Sequence, residues 1–193
     1  PKRTIEYLKP AKTRVVFAHR EMVQAQVVMA APDGVFDHAK QADYNFYSGT
    51  MGGSMSSIIF QEIREARALV YAAGGGYAPG HWKGDENRVL ASLGTQADKA
   101  IEATTLLVEL VRRPPLSAER FAETRQSVLE SYRTNPLHFR AVPDAVLGWE
   151  EKGLPPGDPR PLTFARCQAY TMDDLKSFAN RFGSTPFTVS VLG

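Results

Sequence analysis

With 193 residues, 43% of them hydrophobic and 23% charged, the chain has enough apolar material for one large domain with its own core, and this excludes a disordered segment. A net charge of +2 with scattered Lys and Arg makes no basic stripe of the kind that neutralises phosphates, so nucleic acid is not an expected partner. No run of about 18 apolar residues occurs, which gives no predicted membrane span, and the start Pro1-Lys2-Arg3-Thr4 lacks the apolar core of a signal peptide.

The Val-rich runs Arg14 to Ala18 and Gln26 to Ala30, separated by the turn-like His19-Arg20-Glu21, read as two strands of a hairpin, with Pro32-Asp33-Gly34 stopping the second. From Phe36 to about Phe46 a helix is predicted, ending in the glycine-rich loop Gly49-Thr50-Met51-Gly52-Gly53. A second helix follows, capped by Ser54 or Ser56, with Met55, Ile58, Ile59, Ile63 and Ala66 as its buried stripe. Val70 to Tyr77 and Asn87 to Thr95 read as an antiparallel strand pair, and Gly74-Gly75-Gly76 inside the first implies close approach of another backbone.

Two amphipathic helices are predicted over about 97–112 and 117–133, split by Pro114-Pro115, then a third over about 137–150 with Pro143 as a kink. Gly153 to Pro161, rich in proline and glycine, reads as a loop. Thr171-Met172-Asp173-Asp174 has the form of a capping box opening a last helix, whose Leu175, Phe178, Ala179 and Phe182 face the core and which Gly183 ends. Phe187 to Leu192 is a closing strand. The expected fold class is therefore α+β, a two-layer, mainly antiparallel sheet with helices packed on one face. A single domain over 1–193 is expected, and its stop directly after a strand suggests a fragment of a longer polypeptide.

The residues for unaided hydrolysis are missing. Neither His-Glu-x-x-His nor His-x-x-Glu-His occurs, and His19, His38, His81 and His138 are too far apart in sequence for one helical metal site. No metal and no cofactor are expected in this chain. Gly-x-Ser-x-Gly is absent, the glycine loops match no phosphate-binding pattern, and the single Cys167 has the makings of a small inert side chain. One junction remains, Phe60-Gln61-Glu62-Ile63-Arg64-Glu65-Ala66-Arg67-Ala68-Leu69-Val70-Tyr71. Arg64 lies off the apolar stripe and Tyr71 follows seven residues later, at a strand start. A guanidinium and a phenol directed into one groove can hold peptide carbonyls or an oxyanion, whereas the plainer reading is a surface charge and a half-buried strand aromatic.

Gly52-Gly53-Ser54-Met55-Ser56-Ser57-Ile58-Ile59-Phe60-Gln61-Glu62-Ile63-Arg64-Glu65 through Tyr71 resembles the glycine-rich loop and helix of the C-terminal-type, non-zinc domain of the insulinase/pitrilysin metallopeptidase family. The chain departs from that pattern at Ala68-Leu69-Val70, where the family commonly carries a glycine. The resemblance implies a domain that is inactive alone and pairs with a catalytic, zinc-bearing domain or subunit, the two closing around an unfolded peptide substrate. It implies that Arg64 and Tyr71 are substrate-binding residues opposite the zinc. It also implies that Gly74, Gly75 and Gly76 border an edge where a peptide adds as a strand, a bulge being the plainer account. Family habit points to a bacterial periplasm or cell envelope. An assembly scaffold of the same fold and an unrelated α+β anion- or ligand-binding domain are the alternatives.

Overall fold

Alternation decides which face of the sheet is buried. In β2 (Gln24–Val35) Ala25, Val27, Met29 and Ala31 are buried, and in β4 (Glu86–Gln96) Val89, Ala91 and Leu93 are too. Between them Gln26, Val28 and Ser92 are exposed. Such period-two burial belongs to a sheet with one covered face. The computed structural model describes residues 6–65 and 70–193, apart from the side chains of Glu65 and Tyr71.

The sheet contains β1 (Arg14–Ala18), β2, β3 (Val70–Ala78), β4 and β5 (Thr188–Leu192) in the order β1-β5-β2-β4-β3. Every neighbouring pair is antiparallel except β1 and β5, which run parallel with Val16 opposite Ser190. The expected β1–β2 hairpin is therefore corrected, since β5 lies between those two strands. Pairing β2 with β5 sets Met29 opposite both Ala91 and Val189, all three buried. Direct β1–β2 pairing would forfeit that contact.

Nor does Pro32-Asp33-Gly34 stop β2. Beyond Ala30 the strand has a neighbour only in β4, so Pro32 interrupts no second ladder, and Gly34 forms a bulge at φ +47° between Asp33 and Val35. Asp33 ties this end down, accepting from the Tyr77 hydroxyl at 2.7 Å and from the Arg181 guanidinium at 2.5 Å.

The helices α1 (Gln41–Met51), α2 (Ala100–Arg112), α3 (Ala118–Thr134), α4 (Val142–Glu151), α5 (Arg160–Ala169) and α6 (Met172–Asn180) form the second layer. Phe46, Tyr47 and Met51 of α1, Leu107 and Val111 of α2, and Leu175 and Phe178 of α6 meet in one core with the buried sheet face. The α6 capping box is present as expected, the Thr171 hydroxyl accepting from the Asp174 N–H and the Asp174 carboxylate accepting from the Thr171 N–H.

Helix boundaries moved where packing overrode local signals. The first helix starts only at Gln41 and runs through Gly49, whose bare backbone lets Thr124 of α3 approach to 3.0 Å from where a Cβ would stand. Pro143 sits in the first turn of α4, where a missing N–H costs nothing, and so causes no kink. The loop read up to Pro161 ends sooner, because α5 begins at Arg160 with its own early proline.

Candidate functional site

After α1 the chain turns through Gly52–Ser57 and enters a helical segment in which Phe60–Glu65 form a π-helical turn. The Ser57 hydroxyl donates to the Ser54 carbonyl at 2.6 Å, and the Gln61 side chain closes the loop onto the Met55 carbonyl at 2.5 Å. Ile58, Ile59 and Ile63 are fully buried, as the apolar stripe predicted, while Met55 is 76% exposed and lies outside it. Ala66 falls outside the described residues. Π-turns recur where a helix must present a particular side chain rather than continue its stripe.

With the isoleucines turned inward, Arg64 is exposed, its guanidinium 4.8 Å from the centre of the Phe60 ring. Glu62, two residues earlier, is taken by Arg120 of α3 at 2.8 Å. That bond fastens the π-turn to the helical layer. Tyr71 stands in β3, but its side chain lies outside the described residues. Its backbone is informative: Val70 pairs with Thr95 and Ala72 with Gly94, so Tyr71 is the extra residue of a β-bulge. Bulges re-aim a side chain at the rim of a sheet.

Gly74, Gly75 and Gly76 follow in regular register opposite Ser92, Ala91 and Leu90. The bulge therefore lies at Tyr71, upstream of the glycines. Two of them are demanded by packing. A Cβ on Gly75 would stand 2.7 Å from Ile59 and 2.8 Å from the Leu90 carbonyl, and one on Gly76 3.0 Å from the Ser48 hydroxyl. A Cβ on Gly52 would stand 2.2 Å from the Gly75 nitrogen and 2.3 Å from its oxygen. The glycine loop and the glycine strand are thus one close-packed joint.

β3 is the last strand of the sheet, with β4 on one side. Tyr77 turns both polar backbone groups to α1, its N–H donating to the Ser48 hydroxyl at 3.0 Å and its carbonyl accepting from it at 3.3 Å. Toward Tyr77, α1 occupies the outer edge of this strand.

Elsewhere the polar groups are held structurally. Cys167 is fully buried, and burial pushes its thiol above the ordinary value, away from thiolate chemistry. Tyr77 is raised far more strongly, by burial and then by its bond to Asp33, so it remains a phenol. Among the described residues no group of three or more His, Cys, Asp or Glu is placed to hold a metal ion, and no helix is long and apolar enough to cross a membrane.

Comparison with known proteins adds the family context. Residues 1–128 match the family described as the peptidase M16 inactive domain. The fold is similar to that of a peptidase M16 inactive domain from Pseudomonas fluorescens, with a TM-score of 0.80 at 18% identity over 100% of this chain and 46% of the other. It is also similar to a protease from Helicobacter pylori, with a TM-score of 0.79 at 17% identity over 100% of this chain and 46% of the other. The periplasmic protease PqqL from Escherichia coli gives a TM-score of 0.72 at 13% identity, over 95% of this chain and 21% of that one. The chain thus spans less than half the length of these proteins. No curated protein sequence matches it.

Proposed function

Since the chain belongs to the peptidase M16 inactive-domain family, we propose that it is the non-zinc, substrate-binding domain of an insulinase/pitrilysin-type zinc endopeptidase. In this reading residues 1–193 are one C-terminal-type domain of a larger assembly. Zinc is held by the catalytic domain or subunit that faces it, and an unfolded peptide lies in the chamber between them. The observation that carries it is the exposed guanidinium of Arg64, set on a π-turn that leads into the bulged start of an edge strand. Arg64 donates to substrate carbonyls, Tyr71 adds a phenolic donor, and both oppose the charge that develops on the scissile carbonyl.

The proposed strand-addition edge beside Gly74, Gly75 and Gly76 is best used at its beginning, from Tyr71 to Gly74. Ser48 and Gly52 stand against the strand from Gly75 onward. A periplasmic or cell-envelope setting fits this reading, as PqqL is periplasmic.

A scaffold without hydrolytic role is the second reading, favoured by one observation. An open groove of about 810 Å³ between β1 and α2 exposes Val15, Phe17 and Ile101, the last at 83%. Apolar surface of this kind associates with protein. The unrelated ligand-binding reading is set aside by the family match.

The deciding experiment is cleavage of an unstructured fluorogenic peptide by this chain alone and mixed with its zinc-bearing half, with Arg64→Ala and Tyr71→Phe beside the wild type. The expected result is activity only in the mixture, reduced about 10²-fold by Arg64→Ala, as for loss of one oxyanion donor. Stable association without cleavage establishes the scaffold instead.

A further inference from the structure

Between the end of α4 and the start of α5 lies a small cavity of about 160 Å³, walled by Phe36, His38, Trp149, Lys152, Pro159 and Arg160. Its cations differ in what neutralises them. The Arg160 guanidinium is paired with Asp158, Nε donating to both carboxylate oxygens at 2.8 and 3.0 Å. Lys152 is half-buried, its ammonium 4.9 Å from the centre of the Phe36 ring, and among the described residues no carboxylate stands within 4.0 Å of it.

His38 adds no charge of its own at neutral pH. The Thr163 hydroxyl donates to the Pro159 carbonyl at 3.0 Å, so it accepts from His38 Nε2 at 3.0 Å. Burial, then the nearby Arg166 and Lys152, hold the imidazole below its ordinary value against the opposing pull of Asp37. Burial likewise lowers Lys152, the expected cost of an ammonium taken from water without a counter-ion.

We propose that this cavity receives a carboxylate carried on a short apolar stem, with the Lys152 ammonium as its counter-ion, and that the carboxylate belongs to a peptide. A doubly charged inorganic anion is best held by several cations with no other counter-ion, whereas here Arg160 is taken by Asp158 and the Lys152 ammonium stands beside the apolar Phe36, Trp149, Leu154 and Pro159. A carboxylate on hydrocarbon matches both features. The cavity has no room for a peptide, but Tyr132 and Arg160 border both it and a groove of about 450 Å³ lined by Arg133, Pro161 and Phe164, where the rest of the ligand lies. The source of the carboxylate rests on the peptide-handling reading of the chain. Its capture by Lys152 does not.

The test is calorimetric titration of this chain with acetyl-Ala-Ala-Leu bearing a free carboxylate, with its C-terminal amide, and with inorganic phosphate. The free acid is expected to bind at least tenfold more tightly than the amide or phosphate. Lys152→Met removes that preference and Lys152→Arg keeps it; the titration needs neither the zinc-bearing half nor cleavage, so failure of the Arg64 assignment and failure of this one are distinguishable. Equal binding of acid and amide by the wild type, no detectable binding of the acid, tight binding of phosphate, or an unchanged acid preference in a folded Lys152→Met variant each overturns the proposal.

Discussion

Gly52→Ala adds one methyl group where two backbones meet, and its effect follows from the distances around that point. The new Cβ would stand 2.2 Å from the Gly75 nitrogen and 2.3 Å from its oxygen. Ordinary contact for such atoms is about 3.5 Å, so one of the two segments must retreat by about 1 Å. Gly75 has little room, because its own Cβ position already stands 2.7 Å from Ile59 and 2.8 Å from the Leu90 carbonyl. Backbone conformation offers no relief and adds no strain, since Gly52 has a φ of −159°, which any residue adopts. Overpacking against rigid neighbours costs about 1–3 kcal/mol, and contact with backbone on both sides puts this substitution near the top, at about 3 kcal/mol. For a domain of this size that lowers the melting temperature by about 6–12 °C. Gly74→Ala is the control, because its Cβ would stand 4.0 Å from the Gly52 oxygen, in ordinary contact, and it changes the midpoint little. Thermal and urea unfolding followed by circular dichroism measure both. Equal stabilities for Gly52→Ala and Gly74→Ala would refute the close-packed joint.

Tyr47 is 1% exposed and its hydroxyl has no hydrogen-bond partner among the described residues, so Tyr47→Phe removes an uncompensated polar group and raises stability by about 1 kcal/mol in urea unfolding; a loss instead would mean the hydroxyl is satisfied. Thr171→Ala deletes the capping hydroxyl of α6 and costs about 1 kcal/mol by the same assay, with Asp174→Ala acting in the same direction. His38 is held below its ordinary value in the fold, so its contribution to stability is present above the unfolded value of about 6.5 and is lost as pH falls through the lower folded value. The stability of wild type relative to His38→Gln therefore shrinks between pH 7 and pH 5, and a difference independent of pH would contradict the assignment of a neutral, Nε2-protonated imidazole.

Much of this fold was legible where the signal is local. The Thr171–Asp174 box, the isoleucine stripe before Arg64 and the β3–β4 pair each depend on residues within one element or two consecutive ones, and each was found. The parallel pairing of β1 with β5 was not, because the hairpin signal between β1 and β2 is local and its competitor lies 174 residues away, as between Arg14 and Thr188. No helix is expected over α5, because Arg160 and Pro161 close the proline- and glycine-rich stretch read as a loop, although proline in a first turn leaves a helix intact. In the candidate site, the exposure of Arg64 followed from helical periodicity. The bulge at Tyr71 did not, because register against β4 creates it. Lys152 gave no signal at all, since its burial depends on Phe36, a residue far upstream.

The place of β5 in the sheet has a consequence for how the chain folds. Among the described residues β1 pairs with β5 alone, so neither it nor the Gln26–Ala30 side of β2 has a strand partner there until Thr188–Leu192 arrives. Closing so long a loop is entropically slow, which makes completion of this edge a late event. Until then β2 presents an unpaired row of N–H and C=O groups beside apolar Val27 and Met29, the template from which misassembly starts. A cut anywhere between β4 and Thr188 that releases the downstream piece takes β5 away and strands β1, and the surviving fragment is left sticky at its centre rather than frayed at its rim.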